Sequence, residues 1–215
     1  MKTIIINGSP KGKNGNTEIF IENFTKKIHS DVVVKRIIEE DYKILSNQVM
    51  KYDTVIIALP LYIHGMPGIV MKFIEHLHVN DTNNPKKIGF ILQFGFSEGF
   101  QGEYIERYFE SMSEELNMIY LGTLIKPEAA AIYMLPKIFT YKLFKRLQKF
   151  GKIYDETNTF DKRLITKIKQ PYKIKGLKLI FFKVLTNLGL TNKMWNKFLK
   201  DNKAYEKRFD RPYSI

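Results

Sequence analysis

A chain of 215 residues with 44% hydrophobic content is long enough for one sizeable α/β domain plus an appendage. It has no cysteine, which excludes disulfides, thiolate metal sites and redox thiols. The formal charge of +13 is unevenly placed: residues 1–135 hold 14 Lys+Arg against 16 Asp+Glu (net −2), and residues 136–215 hold 21 against 6 (net +15).

The first strand is expected over 2–7, with Thr3-Ile4-Ile5-Ile6 as its β-branched run. No apolar segment precedes it, so no signal peptide is expected, and no apolar stretch is long enough to span a bilayer. A cytoplasmic protein is the simplest expectation. The strand opens into Asn7-Gly8-Ser9-Pro10-Lys11-Gly12-Lys13-Asn14-Gly15-Asn16-Thr17, and a helix over 16–29 follows with Ile19, Phe20, Phe24 and Ile28 on its apolar face. In a strand–loop–helix unit the loop amides and hydroxyls converge on the helix N-terminus, which suits an anion. The Walker loop does not fit, because Gly8 and Gly12 enclose three residues and Asn14 follows Lys13. The dinucleotide fingerprint fails too, since no glycine stands two places after Gly8. What remains is a loop whose Ser9, Asn14, Asn16 and Thr17 offer neutral donors to a monoester phosphate. An ordinary surface βα turn is the alternative.

A strand over 32–38, a short helix over 44–51 and a buried strand over 54–59 come next. The last ends in Pro60-Leu61-Tyr62-Ile63-His64-Gly65-Met66-Pro67-Gly68, and a helix over 67–78 carries Val70, Phe73, Ile74 and Leu77 at helical spacing. With this second motif the chain resembles the flavodoxin-like NAD(P)H-dependent FMN reductases over roughly residues 1–130. The residues that carry the resemblance are Gly8, Ser9, Pro10, Lys11, Asn16 and Thr17, then Pro60, Tyr62, Pro67, Lys72 (one place later than the family pattern), Phe73, Ile74 and Glu75. The iron–sulfur branch of that family carries a cysteine cluster that this chain lacks.

A fourth strand is expected over 87–92, an acidic amphipathic helix over 101–116 and a fifth strand over 118–125. Five strands with helical crossovers imply a doubly wound parallel sheet of order 2-1-3-4-5, whose ligands sit beyond the carboxyl ends of the strands at the switch point. Both motif loops leave strands that flank that point. A third loop, Gln93-Phe94-Gly95-Phe96-Ser97-Glu98-Gly99-Phe100-Gln101-Gly102, opens on the same edge. In the family it lies along the pyrimidine end of the flavin as a Thr-Gly-Gly-type turn, a pattern from which Phe94 and Phe96 depart. Packing beneath the C-terminal extension is its other reading.

The resemblance thus implies FMN as cofactor and NADPH or NADH as donor. Ser9, Lys11, Asn14, Asn16 and Thr17 fall at the phosphate, and Pro60, Leu61, Tyr62, Ile63, Gly65, Met66, Gln93, Phe94 and Gly95 along the ring. No catalytic side chain is expected, because hydride transfer to a flavin needs no protein acid. Tyr62 is a candidate aromatic neighbour of the ring and His64 a candidate proton donor. His76 and His78 suit the helix dipole at a C-terminus, and with no carboxylate or cysteine at ligand spacing no metal is expected. The acceptor class is a quinone, a nitro or azo compound, or free flavin. The alternative is a flavodoxin-type electron carrier with a protein partner. A homodimer is implied by the family.

Residues 136–215 read as a basic helical extension beyond a flavodoxin-like domain of 1–135. One apolar stripe is Phe139, Leu143, Phe144, Leu147 and Phe150; a second is Leu177, Ile180, Phe181, Val184, Leu185 and Leu188; Gly189 interrupts, and Met194, Trp195, Phe198 and Leu199 resume. The stripes have three readings: packing on the domain or a second subunit, an anionic membrane surface, or non-specific nucleic acid.

Overall fold

The computed structural model describes residues 2–77, 85–189 and 192–211. Strands β1 (Thr3–Asn7), β2 (Val32–Arg36), β3 (Thr54–Pro60), β4 (Lys87–Gln93) and β5 (Ile119–Lys126) form one sheet ordered β2-β1-β3-β4-β5. Every neighbouring pair is parallel. Helices α1 (Asn16–Thr25), α2 (Tyr42–Val49), α3 (Gly68–Ile74) and α4 (Glu103–Glu115) alternate with the strands, and α5 (Lys137–Thr157) and α6 (Lys162–Ile168) follow β5. This is the flavodoxin-like order that the alternation of elements implies.

Successive strand residues face opposite sides of a sheet, so an all-parallel sheet with helices on both faces needs near-continuous apolar strands. Ile4, Ile6, Val55, Ile57, Leu59, Ile88, Phe90 and Leu92 point to one core, which α2, α3 and α4 cover with Leu45, Val49, Phe73 and Phe109. Ile5, Ile56, Ala58, Ile91 and Leu124 point to the other, covered by Phe20 and Phe24 of α1 and by Leu147, Phe150, Tyr154, Leu164 and Ile168 of α5 and α6.

The second core explains where α5 packs. Phe24 lies 5.7 Å from both Phe150 and Tyr154, ring centre to ring centre, and Phe150 lies 4.8 Å from Phe160. Gly151 lets the two helices approach this closely: a Cβ there would stand 1.8 Å from the Phe24 carbonyl oxygen. The Tyr154 hydroxyl is 2.8 Å from Thr3 Oγ1, which ties α5 to the first strand, and burial pushes its pKa up.

Helix ends differ from the periodicity-based spans for local reasons. Asp41 accepts from the amides of Lys43 and Ile44 at 2.9 and 3.1 Å, so α2 starts at Tyr42 rather than 44. The expected helix over 67–78 closes at Ile74, and the amides of His76 and Leu77 then bond three residues back, to Phe73 and Ile74, which tightens the last turn. His76 Nδ1 is 2.8 Å from the Lys72 carbonyl oxygen, and His78 lies outside the described residues. Ile37–Glu39 forms a 3₁₀ turn where the second strand was expected to continue.

The chain divides into compact units of 1–173 and 174–215. The first unit therefore includes α5 and α6. The second holds α7 (Leu177–Asn187) and α8 (Asn192–Asp201). Among the described residues no helix is long and apolar enough to cross a membrane.

Candidate functional site

The phosphate-type loop is shaped from beneath by Asn7, the last residue of β1. Its Oδ1 accepts from the Ser9 amide at 2.8 Å, and its Nδ2 donates to the Gly12 carbonyl at 3.4 Å and to Glu18 Oε2 at 2.6 Å. One buried side chain thus pins both limbs of the loop. Glu18, in the first turn of α1, also receives Arg36 Nε at 3.1 Å and pairs with Arg36 Nη2. That pairing raises the Arg36 pKa and offsets a negative charge that would otherwise oppose an anion at this helix end. Position 15 is the N-cap of α1 and supplies no capping side chain. A Cβ on Gly15 would come within 2.7 Å of Ser9 Oγ, so glycine keeps the serine hydroxyl in place.

Ser9 is buried, with its Oγ accepting from the Lys11 amide at 3.2 Å. The Asn16 side-chain amide donates to the carbonyls of Ala129 and Ala130 at 2.8 and 3.0 Å, which anchors the segment after β5 to the start of α1. Thr17 is buried below the loop, and its hydroxyl accepts from Gln93 Nε2 at 3.4 Å.

The second loop leaves β3 at Pro60. The Leu61 amide donates to the Gln93 carbonyl at 2.9 Å, extending the sheet by one bond. Tyr62 and Gly65 exchange backbone hydrogen bonds at 2.9 and 3.0 Å around Ile63 and His64, whose φ values are 46° and 65°. Two positive φ values in succession define a type I′ turn, which normally takes Asn-Gly. A β-branched isoleucine there is strained by about 1–3 kcal/mol, and such strain tends to gather at functional loops. Ile63 is 88% exposed at the tip. The His64 ring stacks on Phe96 with centroids 5.1 Å apart, and Nδ1 donates to the Gln101 carbonyl at 3.3 Å. His64 therefore joins the second loop to the third.

The third loop runs beside the segment that follows β5. The Phe94 amide donates to Lys126 O at 3.2 Å, the Ala129 amide to Phe94 O at 2.8 Å and the Glu128 amide to Phe96 O at 2.8 Å. Phe94 is buried in the first core and Phe96 is half-exposed. Burial lowers the Lys126 pKa.

The three loops enclose a cavity of about 440 Å³ at the carboxyl edge of the sheet. Ser9, Lys11, Asn14 and Asn16 line one end, Pro60, Leu61 and Tyr62 one wall, and Gln93, Phe94 and Gly95 another. Of the residues singled out by motif, Thr17, Ile63, His64, Gly65 and Met66 are not in its lining. Thr17 lies under the loop, the I′ turn carries Ile63 into solvent, and Met66 packs on the first core. Gly15, Ala130 and Tyr133 complete the lining and were not anticipated. Gly15 was legible as the glycine at the helix start. Ala130 and Tyr133 lie more than a hundred residues from the first motif and carry no pattern of their own. The Asn7–Glu18–Arg36 support was equally silent, because nothing in the spacing pairs β2 with α1.

A doubly wound sheet of this order, with a mononucleotide-sized cavity at its switch point, defines a flavodoxin-like α/β protein. The chain belongs to the NADPH-dependent FMN reductase family, whose model matches residues 1–129. It is an oxidoreductase with FMN as cofactor and a nicotinamide dinucleotide as donor. Solved structures share the fold. An NADPH-quinone reductase from P. pentosaceus is 17% identical, covers 70% of this chain and 98% of its own, and gives a TM-score of 0.57. General stress protein 14 from Treponema denticola, in complex with FMN, is 12% identical, with 73% and 98% covered and a TM-score of 0.56. An azoreductase from Bacillus anthracis is 14% identical, with 71% and 100% covered and a TM-score of 0.53. No curated protein sequence matches the chain.

Proposed function

We propose that this cavity is the FMN site of an NAD(P)H oxidoreductase that reduces a small acceptor: a quinone, a nitro or azo compound, or free flavin. The observation that carries the reading is the convergence of all three loops, from β1, β3 and β4, on one cavity. The residues suit the group. Ser9, Asn14 and the uncapped start of α1 offer neutral donors to a phosphate, Lys11 adds a cation, and the Glu18 charge is already neutralised. Asn16 holds the loop after β5 through its amide group, and Thr17 positions Gln93. Pro60, Leu61 and Tyr62 supply a flat apolar wall, with Gln93 and Gly95 opposite.

Bound FMN supplies the two-electron chemistry, and the protein supplies orientation and shelter from water. The Leu61–Gln93 backbone bond and the His64–Phe96 stack keep the second and third loops at a constant separation. His64 acts here as a strut, its Nδ1 hydrogen donated to the Gln101 carbonyl. The compact 1–173 unit carries the whole site, with residues 1–135 providing its walls, α5 buttressing α1 from behind and α6 packing on β5. A homodimer, as the resemblance implies, completes the reading and is checked by light scattering.

The deciding experiment is a spectrum. Purified protein is expected to show bound flavin that bleaches anaerobically on addition of NADPH or NADH. Flavin that both nucleotides leave oxidised would instead favour the electron-carrier reading, and protein that cannot be reconstituted with FMN would exclude both. Ser9→Ala should weaken FMN binding about tenfold, the worth of one hydrogen bond to a charged group.

A further inference from the structure

The unit formed by residues 174–215 has a surface that the flavin chemistry does not use. Leu177, Ile180, Phe181, Val184, Leu185 and Leu188 recur at the spacing of a single helix face. Such a face normally lies against a core. Here α7 buries none of its residues; Leu177 is 84%, Phe181 64% and Leu188 67% exposed. In α8, Trp195 and Phe198 stand 6.0 Å apart with Trp195 mostly exposed. Lys193, Lys197 and Lys200, one helical turn apart, share a recess with Asn196 and Asp201. Residues 174–215 hold ten Lys+Arg against three Asp+Glu.

We propose that this unit docks the protein on the surface of an anionic lipid bilayer. The α7 stripe lies at the boundary between acyl chains and headgroups, with the lysines of both helices against lipid phosphates. Charge selects this occupant. A second copy of the unit would bring a like charge of the same size against the first. A nucleic acid would neutralise the lysines but leave the apolar stripe in water, whereas a bilayer surface meets both demands at once. Lys178 and Lys183 interrupt the apolar run of α7, and long lysine stems can lie along lipid while their ammonium groups reach phosphate. The eleven residues of α7 span about 16 Å, roughly half a hydrocarbon core. The helix therefore lies on the membrane and does not cross it.

Trp195 is the sole tryptophan and is a built-in reporter. Full-length protein is mixed with vesicles of phosphatidylcholine, or of phosphatidylcholine with phosphatidylglycerol. The expected result is co-sedimentation with the anionic vesicles, a blue shift of Trp195 emission, and an affinity at least about tenfold higher than for the neutral ones. Added salt should weaken binding. The double variant Phe181→Glu, Leu188→Glu changes only exposed positions, so its circular dichroism should match the parent while vesicle binding is lost. Failure to co-sediment overturns the proposal, as does equal binding to both vesicle types. So does binding to duplex DNA without binding to vesicles. Trp195 emission unresponsive to lipid, in a protein whose oligomer shrinks in the double variant, would show that a second copy covers the stripe. None of these readouts depends on FMN.

Discussion

Helices α5 and α7 are both basic, both carry apolar residues at helical spacing, and end in opposite environments. In α5, Leu147, Phe150 and Tyr154 are fully buried against α1 and the sheet. In α7 the corresponding stripe is open to solvent. An apolar stripe states that something must cover a helix and is silent on what does. Phe24, Phe160 and the glycine at 151 answer that question for α5, whereas α7 has no buried residue.

This contrast can be broken by substitution. Leu147→Ala should cost about 2–5 kcal/mol in denaturant unfolding, as expected for a fully buried leucine. Gly151→Ala should cost about 3 kcal/mol by forcing α1 and α5 apart. A loss below 1 kcal/mol for both would mean that α5 is not part of the first unit's core. Next comes Arg36→Met, which leaves the Glu18 carboxylate nearly buried and without its cation. It should cost about 3 kcal/mol and loosen the loop above it, whereas Lys197→Met on exposed α8 should leave the melting temperature unchanged.

A smaller effect concerns alkaline pH. Burial pushes the Tyr120 hydroxyl from its usual 10.0 up to about 12. The fold favours the neutral phenol, so this contribution is complete below pH 10.0 and is lost as pH rises through about 12. Denaturation midpoints across that window should fall, and less steeply in Tyr120→Phe. The smallest effect should be Phe181→Ala, within about 0.5 kcal/mol of the parent, because its ring has no core to leave. A larger cost would show that α7 is covered after all.

Much of the site was legible because strands and phosphate loops are local. The apolar runs from Thr3 and Thr54, and the loops that end them, carry their chemistry within about a dozen residues, and their edge of the sheet follows from the strand order. The Phe94 position is a mixed case: its loop was placed on the right edge, but the ring turns into the core while its backbone bonds to Lys126 and Ala129. His64 was readable as a polar residue of the second motif, and only its stack on Phe96 made it a strut beside the cavity.

The sequence by itself determined the alternation of strand and helix, the order of the sheet, the flavin family and the charge asymmetry. The family follows from the resemblance of its two loop motifs, and the rest from period, spacing and composition, which a linear chain displays. Tertiary structure alone decided that Arg36 from β2 neutralises Glu18 under the loop. It also decided that Ala130 and Tyr133 close the cavity, and that of two similar stripes one is core and the other surface. Each of these is a meeting of residues distant in the chain, and the fold brings them together with no trace in the local pattern.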